Sequence, residues 1–275
     1  MRRSALRRLA PALISATSVL AATTGAGEPS TGPVIGVSDQ PCQGVPTEQT
    51  AAHKASADPY QSWMHEWLSL DWGQLCRYQA ENAHLPPASP RRVVFMGDSI
   101  TDGWKNLDPE LFRDDRLDRG ISGQTTNQML LRFRADVLEL HPAVVHILAG
   151  TNDIAGNTGA TSLAIIQGNI ATMAELARAH GVRVILASIL PVANYGWNSQ
   201  IQPIASIAAM NAWLRAYAAR EHHVYVDYYA TLNDGHGGLK AELAYDGVHP
   251  NPAGYAAMHA QAEAAIAQAL ASRPR

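Results

Sequence analysis

Ser99 closes the stretch Phe95-Met96-Gly97-Asp98-Ser99, directly after the short apolar run Val93–Met96. Far downstream lies Tyr245-Asp246-Gly247-Val248-His249-Pro250, just before the last amphipathic segment. A serine hydroxyl is a poor nucleophile until a base takes its proton, and the base needs a third group to fix its tautomer. Ser99, His249 and Asp246 are candidates for those three roles. Alone, the Asp–His pair reads as a surface turn capping the last helix. Beside Ser99 and two further polar clusters it reads as base and orienting acid.

Charge that develops on an attacked carbonyl oxygen needs donors aimed at it. The candidates are the backbone amide of Ser99, the amide of Gly123 in Gly120-Ile121-Ser122-Gly123, and the side chain of Asn152 in Gly150-Thr151-Asn152-Asp153. Taken singly, Gly123 and Asn152 read equally as turn residues. Other chemistries fit the sequence less well. Gly97 to Lys105 has five residues between its glycines and Trp104 where a phosphate-binding loop needs its lysine. Thr101 occupies the last glycine position of the glycine–x–serine–x–glycine elbow. His222 and His223 are adjacent and would point apart, and no His-Glu-x-x-His occurs, so no metal or cofactor is expected.

These residues need a scaffold to bring them together. Strands are expected at Val93–Met96, Val144–Ala149, Val182–Ile189 and Val224–Tyr228, with a weaker one at Arg116–Arg119. Helical patterns run through Gln124–Leu140, Ser162–His180, Ile204–Glu221 and Pro252–Ala271. Strands separated by helical patterns predict crossover units and a parallel sheet, hence an α/β fold of three layers in one domain. Near-continuous apolar strands such as Val182–Ala187 suit a sheet covered on both faces. In such sheets, ligands gather beyond the carboxyl ends of the strands. Gly97-Asp98-Ser99, Gly150–Asp153 and Pro191–Asn198 all fall at such ends.

Together these segments, from Arg92 to Pro252, resemble the SGNH (GDSL-type) hydrolases. Gly97-Asp98-Ser99 resembles the family's nucleophile block, Gly120–Gly123 the block whose glycine amide helps form the oxyanion hole, and Gly150–Asp153 the block whose asparagine completes it. Asp246-Gly247-Val248-His249-Pro250 resembles the block carrying the remaining acid and base. The resemblance implies a flavodoxin-like α/β/α fold, no metal or cofactor, and hydrolysis of carboxylic esters by Ser99, His249 and Asp246 with an oxyanion hole of Ser99, Gly123 and Asn152. The family includes carbohydrate acetylesterases, lysophospholipases and thioesterases.

Outside the motifs, Arg2, Arg3, Arg7 and Arg8 precede an apolar run from Leu9 to Ala22 and a small-residue stretch, the pattern of a secretory signal over residues 1–26. That run is short for a membrane span, which wants ~20 apolar residues, and no later segment is long enough. Residues 27–57 read as a linker or loose strap, and 58–275 as the hydrolase domain, with an N-terminal helical cap at 58–90 broken around Asp71-Trp72-Gly73. Losing residues 1–26 removes four arginines and no acid, so 21 basic residues become 17 against 24 acidic ones, a charge of −7. Such a chain lacks the electrostatic footprint for nucleic acid. Cys42 and Cys76 are the sole cysteines. In an oxidising compartment, secreted or periplasmic, they would pair and tie the leading segment to the body, against the alternative of two free thiols. Tyr195 and Trp197, after the fourth strand, read either as stacking platforms for a sugar or as loop packing. An acidic, exported chain with no clear acyl-chain tunnel points to an ester substrate borne on carbohydrate. The alternatives are a short-chain lipase, lysophospholipase or thioesterase and, from another class, a non-catalytic glycan-binding module.

Overall fold

The computed structural model describes residues 37–272. The leader expected at 1–26 therefore lies outside the described residues. Helices α1 (Ala51–Lys54), α2 (Pro59–Leu70) and α3 (Gln79–Ala83) precede the sheet. The body runs β1 (Val93–Gly97), α4 (Ser99–Leu107), β2 (Arg116–Gly120), α5 (Thr126–Asp136), β3 (Val144–Leu148), α6 (Thr151–Ile154) and α7 (Leu163–Ala179). It continues through β4 (Arg183–Ala187), α8 (Pro203–Glu221), β5 (Val224–Val226) and α9 (Tyr228–Leu232) to α10 (Pro252–Ala271).

All five strands pair in parallel, in the order β2-β1-β3-β4-β5. Every residue of β1 and β3 is buried, because both sheet faces are covered and alternate side chains feed separate cores. Val94, Met96, Val145 and Ile147 pack with Phe133 of α5, Ile170 of α7 and Met210 of α8. Val93, Phe95, Val144 and Leu148 pack on the opposite face with Trp104 of α4 and Met258 of α10. Gly97 is level with both Gly120 and Leu148, so the loops that leave β1, β2 and β3 start side by side. The order reverses between β1 and β3, and that reversal opens a crevice at the strand ends.

The differences from expectation are local and have local causes. β5 stops at Val226 rather than Tyr228, because Asp227 accepts the amide of Ala230 and starts α9. Helix α5 begins two residues later than its apolar pattern, where Thr125 and Gln128 form a reciprocal cap. Its tail tightens into a 3₁₀ turn at Leu138–Leu140. Helix α4 carried no sequence expectation.

The segment before the sheet is held to the body at several points. Cys42 and Cys76 form a disulfide, the pairing favoured over two free thiols. His53 bonds Glu66 at 2.6 Å, and the Trp63 indole donates to the carbonyl of Pro46 at 2.7 Å. These contacts join the segment from Cys42 onward to α2 and to Cys76. Helix α2 ends at Leu70, and the Asp71 carboxylate accepts the amides of Leu75 and Cys76. Trp67, Tyr78 and Ile121 then make a small core between this cap and the body, and the Tyr78 hydroxyl donates to the Gly120 carbonyl. No helix among the described residues is long and apolar enough to cross a membrane.

Candidate active site

Ser99 is the first residue of α4, two residues past the end of β1, so the strand-to-helix turn presents its hydroxyl at the crevice. Asp98 makes that turn rigid by accepting the amide of Ile100 at 3.0 Å. The Ser99 hydroxyl lies 2.9 Å from Nε2 of His249. On the far side of the ring, Nδ1 lies 2.7 Å from an oxygen of Asp246. An ionised carboxylate only accepts, so Nδ1 carries the proton and Nε2 presents its lone pair to the serine hydroxyl. Partial burial pushes the Asp246 carboxyl up, but the His249 amide, its ring and the Val248 amide together hold it below the ordinary carboxylate range.

Three-residue spacing works here because the intervening chain doubles back. The Asp246 oxygen that does not face the ring takes the amides of Val248 and His249, and Gly247 supplies the left-handed φ of +81°. Tyr245 donates its amide to the carbonyl of His249, and Asn251 caps α10 immediately afterwards. The loop is therefore both a helix-capping turn and a histidine mount. The two readings left open by the sequence are one structure.

The two remaining loops meet the same crevice. Gly123, Asn152, Ser99 and His249 all line one cleft of about 640 Å³. Gly123 has φ +80°, a backbone that favours glycine. One amide hydrogen of Asn152 goes to the carbonyl of Gln124 at 3.0 Å, leaving a second for whatever enters the cleft. Asp153 accepts both the amide and the hydroxyl of Thr126, locking the β3 loop to the start of α5.

Several residues that hold this arrangement carry no sequence signal. Asn157 donates to Asn152 Oδ1 at 2.9 Å and to the Gly123 carbonyl at 3.2 Å, and accepts the Trp197 indole at 3.0 Å. It links both oxyanion candidates to the cleft wall. Arg132, 0 % exposed on α5, donates to the carbonyl of Gly97, to Gln124 and to Asp136. An arginine in a helix is normally solvated, so nothing in the sequence marks it. Tyr195 and Trp197 part company. Tyr195 is 0 % exposed and bonds Thr151 through its hydroxyl, which excludes it as a sugar platform. Trp197 is 50 % exposed and its ring centre is 6.4 Å from that of His249. Among the described residues, no three His, Cys, Asp or Glu side chains gather as a set of metal ligands.

A model of the GDSL-like lipase/acylhydrolase family matches residues 95–257. The chain belongs to that family. It is accordingly a carboxylic ester hydrolase of the GDSL type. Esterase TesA of Pseudomonas aeruginosa is 32% identical over 176 residues, which are 59% of this chain and 81% of that protein. A GDSL-like lipase of Bacteroides thetaiotaomicron superposes with a TM-score of 0.70 at 44% identity, covering 72% of this chain and 100% of its own. A candidate acylhydrolase of Bacteroides fragilis gives 0.71 at 45% identity, over 73% and 99%. The GDSL-family match starts inside β1, so the strap and α1 to α3 lie outside it. Tyr60, Gln61, Met64 and Leu68 of α2 nevertheless line the cleft that holds Ser99.

Proposed function

We propose that this chain is an exported serine esterase that removes O-acetyl groups from carbohydrate by acyl transfer. His249, oriented by Asp246, takes the proton of Ser99 as its oxygen attacks the ester carbonyl. The amides of Ser99 and Gly123 and the side chain of Asn152 hold the oxyanion of the tetrahedral intermediate. His249 then protonates the leaving alcohol, and water repeats the sequence on the acyl-enzyme. The observation that carries this reading is the unbroken chain from Ser99 through His249 to Asp246, at 2.9 and 2.7 Å, opening on a cleft shared with Gly123 and Asn152.

Export is supported by the basic, then apolar start of the chain and by the Cys42–Cys76 disulfide. A sugar-bearing alcohol is supported by the exposed Trp197 ring beside His249 and by the mildly acidic chain. Covalent labelling by an organophosphonate, tracked to Ser99 by peptide mapping, tests the nucleophile; absence of label there overturns the mechanism. Hydrolysis rates across C2 to C12 acyl esters test the acyl group. A sharp optimum at C2 supports deacetylation, whereas an optimum at longer chains favours a short-chain lipase, lysophospholipase or thioesterase.

A further inference from the structure

Next to the cleft, on the side of α2, lies a second cavity of about 370 Å³ that the proposed reaction does not use. Its walls come from the strap at Thr47–Gln49, from α2, and from Ser122 in the loop that bears Gly123. Tyr60, Met64 and Ser122 line both spaces, so the two are neighbours along one surface. The geometry points to a sugar subsite here, for a pyranose ring one or more units removed from the acetylated one. This inference rests on the proposal that the ester is borne on carbohydrate.

The chemistry of the walls selects the occupant. Tyr60, Trp63 and Trp67 form a continuous aromatic run, with ring centres 5.9 and 5.0 Å apart. Rigid aromatic faces of this kind cover the C–H faces of a sugar ring at low conformational cost. Around them stand Glu48, Arg77 and Asp102, with the Ser122 hydroxyl bonded to Asp102 at 2.7 Å. A fatty acyl chain would have to desolvate these charged groups without return, and two carboxylates repel an anionic headgroup. Sugar hydroxyls, which both donate and accept, satisfy them. Trp67 also lines the cavity but is 1 % exposed, so Tyr60 and Trp63 carry the rings open to a ligand.

The strap that forms one wall of the cavity is tied to the rest of the cap. Trp63 is held by the Pro46 carbonyl and the strap by the Cys42–Cys76 disulfide. These elements lie outside the family match.

The test compares kcat/KM for acetylated xylose, acetylated xylotetraose and p-nitrophenyl acetate in the full-length protein and two variants. Tyr60→Ala removes an exposed ring, and Trp63→Leu removes the central one; circular dichroism and thermal melting check that each folds. The wild-type protein is expected to prefer the tetrasaccharide over the monosaccharide by about tenfold, and each variant that folds to lose most of that preference after normalisation to p-nitrophenyl acetate. Equal rates on mono- and tetrasaccharide, or a preference that survives both substitutions, overturn the subsite and leave the deacetylase reading standing. No hydrolysis of either acetylated sugar, with p-nitrophenyl acetate still cleaved, overturns that reading and the subsite with it. Titrating Ser99→Ala with unacetylated xylotetraose gives a readout free of turnover: a change in tryptophan fluorescence that Trp63→Leu abolishes is expected, and no change in Ser99→Ala overturns the subsite.

Discussion

At the scale of single residues, the site is built from groups whose protonation is set by their neighbours. In the proposed mechanism, His249 acts in the tautomer that Asp246, 2.7 Å from Nδ1, would favour. Asp246→Asn keeps the shape but allows the amide to donate to Nδ1, which favours the wrong tautomer. Turnover of p-nitrophenyl acetate is expected to fall by up to ~10⁴-fold with little change in melting temperature. A loss below tenfold would show that Asp246 is not the orienting acid. Asp98, beside Ser99, behaves differently. Burial pushes its carboxyl up to about 7, against the lowering effects of the Ile100 amide and the charge of His249. The folded protein therefore binds this proton more tightly than the unfolded chain. The resulting stability is fully present below the unfolded value, near ~4, and is lost as pH rises through about 7. Asp98→Asn keeps an acceptor for Ile100 and cannot ionise. Its melting temperature relative to the parent should improve steadily from pH 4.5 to pH 8, and a difference that does not vary with pH would refute the assignment.

At the scale of elements, close packing at the strand ends brings the loops within reach of one another. A Cβ at Gly120 would lie 2.1 Å from the backbone nitrogen of Asp102, so β2 and α4 meet without space for any side chain. Because the obstacle is backbone rather than a flexible side chain, Gly120→Ala is expected to cost ~3 kcal/mol, read as a lowered denaturant midpoint. A midpoint within error of the parent would mean that α4 yields readily. Between the loops, Asn157 is the joint: it bonds the carbonyl of Gly123, the side chain of Asn152 and the indole of Trp197. Asn157→Ala should lower kcat by about tenfold or more while leaving the melting temperature near that of the parent, since it loosens donors that must be held in place. If kcat is unchanged, the two loops are positioned without it.

At the scale of the whole molecule, a GDSL-type body carries a cap that is stapled on. The Cys42–Cys76 disulfide closes a loop of sequence separation 34, for which chain entropy alone gives a stabilisation of about 3–4 kcal/mol. Replacing both cysteines with serine should lower stability by that order in denaturant titration; a loss under about 1 kcal/mol would indicate that the cap stays docked through its other contacts. Much of the body was legible beforehand. The crossover pattern follows from apolar runs of strand and helix length, and the order of the polar clusters puts Ser99, Gly123, Asn152, Asp246 and His249 at strand or loop ends. Those features depend on local periodicity and on residues near each other in the chain, which is information a sequence carries directly. Three things were decided only by the fold. Tyr195 and Trp197 are two residues apart and chemically alike, yet one is buried against Thr151 and the other faces His249, because the loop's path determines which ring meets solvent. Arg132 and Asn157 look like ordinary polar residues until distant carbonyls arrive as their partners. And α2, remote in sequence from every motif, becomes a wall of the cleft once Trp67, Tyr78 and the disulfide dock it. In each case the deciding interaction joins segments tens of residues apart, and no local pattern records which of the many available partners a side chain will meet.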